Sequence, residues 1–169
     1  NKVLQELDKE DGKLIIPIQK NKNICKIITD KDSQNITADA LVTKSEKLIL
    51  CILTADCVPL LLHEKKENII GAIHAGWKGA LAGVCENALN SLKDLGVDIK
   101  KISVAIGPTI STKCYEVKLD FVEAFINANP YFENFFIKED GSYFFDLTLF
   151  IESRFNLFGV YDIVELGLC

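Results

Sequence analysis

The sequence predicts a single α/β (α+β) domain with a mixed, mostly buried β-sheet core flanked by helices, and three observations predict it. Short apolar runs bounded by polar turns fill residues 14–74. Beyond them, apolar residues recur at three- and four-residue spacing and alternate with further strand-like runs. With 169 residues, 49% apolar and 25% charged, the chain is long enough to bury one real core. No repeat, linker or low-complexity tract divides residues 1–169, which read as one domain.

Taken in order, residues 1–10 offer a short helix with Val3, Leu4 and Leu7 on one edge. Residues 14–19 and 24–29 read as strands separated by the polar turn Lys20-Asn21-Lys22-Asn23, and residues 30–35 as a polar loop. Three apolar runs follow, 38–43, 48–53 and 58–63, then a buried-strand candidate at 69–74. Leu81, Val84, Cys85, Ala88 and Leu92 trace one helix face that stops at Gly96. Residues 101–106 form a strand ending in Gly107-Pro108, and residues 119–128 a helix ending before Pro130. The stretch 144–158 holds another helix, with Asp146 as N-cap and Gly159 as stop, and 160–166 a last strand.

Charge and composition exclude several classes. A net charge of −5 without a dominant basic cluster argues against nucleic acid as a partner. The longest uncharged apolar stretch, 48–62, is broken by Asp56 and Pro59 and falls short of a membrane span. No signal-peptide pattern opens the sequence, so a cytoplasmic protein is expected. The six cysteines are dispersed, with no CxxC pair, and read as reduced thiols. The absence of methionine and the stop at Cys169 after an apolar run lead us to expect further terminal segments.

Chemistry concentrates in two segments, Thr54-Ala55-Asp56-Cys57-Val58-Pro59 and Ile73-His74-Ala75-Gly76-Trp77-Lys78-Gly79. Each sets reactive side chains between an apolar strand and small residues. Gly76 and Gly79 allow a tight turn into a helix whose free N–H groups would favour an anion such as phosphate. A thiol and an imidazole suit zinc, and equally a Cys-His nucleophilic pair. Spacing alone leaves open a core thiol at Cys57 and a satisfied buried histidine at His74.

These segments, together with Asp39-Ala40-Leu41-Val42-Thr43, Gly107-Pro108-Thr109-Ile110, Cys114-Tyr115-Glu116-Val117, Phe145-Asp146-Leu147 and Gly167-Leu168-Cys169, resemble in order and content the signatures of the laccase-domain family. Its members are zinc-dependent purine-nucleoside enzymes long labelled polyphenol oxidases. The resemblance implies a fold similar to toxin-deamidase-like cysteine hydrolases and a zinc held by two histidines and one cysteine. Carried across, Cys57 and His74 are two of these ligands. Asn21 stands where the family carries its first histidine, in a Gln-Val-His-Gly element, and a neutral amide oxygen binds zinc far less well than imidazole. Lys113 and Ser111 depart from the usual cysteine and glycine.

On this reading Asp56, Cys57 and His74 are the catalytic candidates, with Asp56 orienting His74 or a bound water. Gly76, Trp77, Lys78, Cys114 and Tyr115 are candidates for substrate binding, although Lys78 equally reads as a solvated lysine and Trp77 and Tyr115 as packing residues. The implied activity is purine nucleoside phosphorylase acting on adenosine, inosine and methylthioadenosine, with adenosine deaminase activity. Its partners are a purine nucleoside and inorganic phosphate. Three alternatives remain: a copper-dependent polyphenol oxidase, for which two histidines are too few; a metal-free Cys57–His74 hydrolase; and a weak or inactive binding homologue, because of Asn21.

Overall fold

The computed structural model describes residues 12–32 and 35–169, so the helix expected over residues 1–10 lies outside the described residues. A six-stranded mixed sheet forms the centre. Its strands are β2 (Cys25–Ile27), β3 (Ala40–Thr43), β5 (Val58–Glu64), β6 (Ile69–Ala75), β7 (Ile102–Ile106) and β11 (Asp162–Glu165), in the spatial order β11-β7-β5-β6-β3-β2. The inner pairings β7–β5, β5–β6 and β6–β3 are antiparallel, while the edge strands β11 and β2 join in parallel. Between residues 58 and 64 side chains alternate between buried and more exposed positions, as a strand with one covered face requires.

The two faces differ. Ala40, Val42, Leu60, Leu62, Ile73, Val104 and Ile106 point into the main core. There they meet α1 (Trp77–Ala82), α2 (Val84–Asp94) and α4 (Leu147–Leu157). On the other face Leu41 is covered by a small cluster of Ile15, Ile28, Ala38 and Leu48. That cluster involves a two-stranded parallel sheet, β1 (Lys13–Ile15) with β4 (Leu48–Leu50). Further along this face Leu61 and Val164 stay 57% and 60% exposed, so the sheet is less covered than its apolar composition suggests.

Three further strands, β8 (Glu116–Val117), β9 (Phe136–Glu139) and β10 (Ser142–Phe145), make an antiparallel sheet that the sequence reading does not contain. It folds onto α3 (Leu119–Ala128) through aromatic rings, with Phe125 4.7 Å from Phe145 and 5.6 Å from Phe136. The helix expected from residue 81 to Gly96 is two helices, because Gly83 takes φ +93° and caps one while starting the next. Asp146 caps α4 as expected, its carboxylate accepting from Leu149 N at 2.8 Å.

Candidate active site

The site forms where β5 begins and β6 ends. Pro59 faces His74 and Val58 faces Ala75 across the antiparallel pair, so Cys57 and Gly76 continue the same register just beyond it. The third contributor is the turn at residues 20–23, whose Asn21 takes φ +54°, a conformation asparagine tolerates better than most residues. Helix α1 fixes this turn from behind. A Cβ at Gly79 would come 2.9 Å from the Lys22 carbonyl oxygen, so only glycine permits this approach. Asn23 Nδ2 donates to Ala82 O at 2.9 Å, and Asn87 Nδ2 donates to Asn23 O at 2.7 Å.

Asp39 holds the arrangement together. Its carboxylate is fully buried, and a buried charge survives only if its oxygens are well paired. Oδ1 accepts from Asn21 N at 2.9 Å and Lys20 N at 3.1 Å, and Oδ2 from Lys22 N at 2.8 Å. Oδ1 also accepts from His74 Nδ1 at 2.9 Å. Because a carboxylate can only accept, Nδ1 carries a proton, and Nε2 is the ring nitrogen not committed to Asp39. Asp39, not Asp56, therefore orients His74. The exposed Asp56 instead uses its carbonyl, which accepts from Ile110 N at 3.0 Å and Thr109 Oγ1 at 2.9 Å.

Cys57 Sγ and Asn21 Oδ1 converge over Gly76. A Cβ there would collide with Asn21 Oδ1 and stand 3.0 Å from Cys57 Sγ. Burial, then the negative charges of Asp56 and Asp39, push the Cys57 thiol upward, so it keeps its proton near neutrality unless a cation displaces it. Tyr115 stands close enough to sense Cys57 and Asp56, and with burial as the larger cause its phenol is pushed up to about 12. It therefore keeps its O–H well above neutrality.

Trp77 packs its ring 4.7 Å from Phe121, and Lys78 Nζ lies 5.3 Å over the Trp77 ring. Cys114 is exposed, with its sulfur on Cys169. Helix α1 spans six residues before Gly83 breaks it, so its amino end provides a weaker field for an anion than the longer helix expected.

Among the described residues no three His, Cys, Asp or Glu side chains gather as a metal-binding group, since the third place belongs to Asn21. The donors present still suit a soft divalent cation. A histidine whose far nitrogen is held by a buried carboxylate, a thiol and an amide oxygen form a small, weakened set.

A family model described as multi-copper polyphenol oxidoreductase laccase matches residues 1–169. A Rickettsia conorii protein named purine nucleoside phosphorylase is 38% identical over 132 residues, covering 77% of this chain and 54% of its own length. A protein from an unknown prokaryote named adenosine deaminase RL5 is 35% identical over 91 residues, or 54% of this chain and 35% of its own. The crystal structure of the Bacillus licheniformis hypothetical protein YfiH superposes with a TM-score of 0.89 at 25% identity, over 99% of this chain and 68% of that one. The chain spans little more than half the length of the first curated relatives it matches. It belongs to the multi-copper polyphenol oxidoreductase laccase family.

Proposed function

We propose that this chain carries the reaction centre of a purine nucleoside phosphorylase, acting on adenosine, inosine and methylthioadenosine, with adenosine deamination as a second activity. The observation that carries the reading is the convergence of Cys57 Sγ and Asn21 Oδ1 over Gly76, beside a His74 ring locked by Asp39. The names of the relatives supply the substrate class. Cys57 and His74 would hold a zinc ion, with Asn21 Oδ1 as a neutral third donor. When bound, such an ion supplies Lewis acidity and a more acidic water.

The chain's own groups account for proton handling. In phosphorolysis a phosphate oxygen bonds to the anomeric carbon as the carbon–nitrogen bond to the purine breaks, leaving negative charge on the base. The Tyr115 O–H, kept protonated by burial and close enough to sense Cys57, would meet that developing negative charge. His74, its Nδ1 held by Asp39, keeps Nε2 as the ring nitrogen available to a proton.

A second reading is favoured by one residue. Asn21 in place of a histidine supports a weak or inactive homologue that binds nucleoside. A copper oxidase finds less support, because the second histidine, His63, pairs with Ile70 and Ser103 within the sheet, outside this donor set.

The test is chromatography of adenosine incubated with the purified full-length protein, with and without phosphate and added zinc. Adenine and ribose 1-phosphate appearing only with phosphate, and vanishing in Cys57→Ala and His74→Ala, are the expected result. Inosine reports deamination. If no product forms with or without zinc, and Asn21→His restores none, the enzymatic reading fails and binding remains.

A further inference from the structure

Two cysteines outside the donor set lie against each other. Cys114 and Cys169 are separated by 55 positions, yet their sulfurs stand 3.7 Å apart. Backbone pairing brings them there. Beyond β11 residues 166–169 stay beside the end of β7, with Leu166 N donating to Ile106 O at 3.1 Å and Thr109 N to Leu168 O at 3.0 Å. The chain leaving β7 then tightens into a 3-10 turn, Thr112–Cys114, where Cys114 N donates to Ser111 O at 3.0 Å. Ser111 N is aimed at Cys169 Sγ at 3.4 Å. Among the described residues both thiols are exposed, and an open cavity of about 320 Å³, lined in part by Ser111, Thr112, Glu152 and Cys169, gives a small oxidant access.

We propose that Cys114 and Cys169 form a dithiol redox site, converted by hydrogen peroxide into a reversible disulfide that ties the turn leading into Tyr115 to the segment after β11. The sulfurs need to close from 3.7 Å to about 2.05 Å, which rotation of two exposed side chains can supply. Cys169 is the attacking sulfur. Hydrogen bonds from Ser111, and then the contact with Cys114, hold its thiol below the ordinary cysteine range. Burial pushes Cys25, Cys57 and Cys85 the other way, which makes them poorer targets.

The chemistry balances in two steps. The Cys169 thiolate bonds to one peroxide oxygen, the O–O bond breaks, and the departing hydroxide takes up a proton as water, leaving a sulfenic acid. Cys114 then loses its proton and its sulfur bonds to Cys169 Sγ, while the S–O bond breaks and a second water leaves. Two electrons pass from the sulfurs to the peroxide. A thiol reductant reverses the result by exchange.

The experiment treats the purified full-length protein with hydrogen peroxide and maps its peptides by mass under non-reducing conditions. A Cys114–Cys169 cross-linked peptide, lighter by two hydrogens, should form before Cys25, Cys51, Cys57 or Cys85 changes, and dithiothreitol should recover both thiols. In Cys114→Ser the cross-link should vanish and a dimedone adduct should accumulate on Cys169. Separate sulfinic acids at Cys114 and Cys169 in the unsubstituted protein, or earlier oxidation of Cys57, would overturn the proposal. Failure of nucleoside turnover leaves this readout untouched, because it counts bonds rather than product.

Discussion

A methyl group on Gly76 would strike Asn21 Oδ1 and stand 3.0 Å from Cys57 Sγ. The backbone there, φ −75° and ψ 162°, suits alanine, and the group it strikes first is the end of a side chain on an exposed turn. The neighbours can therefore move, and the cost falls on the site. Gly76→Ala is expected to lower kcat/KM at least about tenfold while changing stability by about 1 kcal/mol or less. Steady-state kinetics with urea unfolding on the same preparation checks it, and an equal loss in both would show that Gly76 serves packing. Cys57 and His74 stand out as candidates in the sequence because few residue types carry such chemistry. Asp39 carries a fainter signal in the sequence. A carboxylate at the head of the buried run Ala40–Thr43 must find donors, and it finds three backbone N–H groups and an imidazole. Those donors come from distant parts of the chain, so no local pattern named Asp39 in place of Asp56.

Among the elements, legibility followed periodicity. Helix α3 spans Leu119–Ala128, as its spacing and the following Pro130 indicate, because the helix carries its own apolar face and its own stop. The hairpin β9–β10 is faint in the sequence although Asp140-Gly141 stands at its turn. Its strands are rich in aromatic residues and alternate weakly, so the period-two signal is faint. The turn itself is decisive in the structure, with Asp140 at φ +48° and Gly141 at φ +84°. A Cβ on Gly141 would meet nothing within 4 Å, so the effect of substitution there is conformational alone. Gly141→Ala should therefore cost about 1 kcal/mol, visible as a lower urea midpoint with an unchanged slope. A neutral result would mean that the turn relaxes into another type.

Over the whole molecule, several weak acids share one bias. Cys25 lies where β2 meets α2, Cys85 is enclosed in the core, and Cys57 and Tyr115 flank the candidate site. Burial is the largest cause at each, and all four hold their protons more tightly in the folded chain than the ordinary thiol or phenol does. The sign follows from proton counting. Above the ordinary thiol value of 9.0 the unfolded chain has shed these protons while the folded chain retains them, so the unfolded state binds fewer and stability falls as pH rises. Below that value both states are protonated and these groups contribute no slope. Urea midpoints should thus be insensitive to these groups near neutrality and decline from about pH 9 upward. Tyr115 enters above its unfolded value of about 10 and continues towards 12, so Tyr115→Phe should flatten the upper part of the decline and leave the onset in place. A midpoint that stays level through this range would mean that the thiols and the phenol meet as much water in the folded chain as in the unfolded one. That outcome would remove the reason for treating Tyr115 as a proton donor beside Cys57.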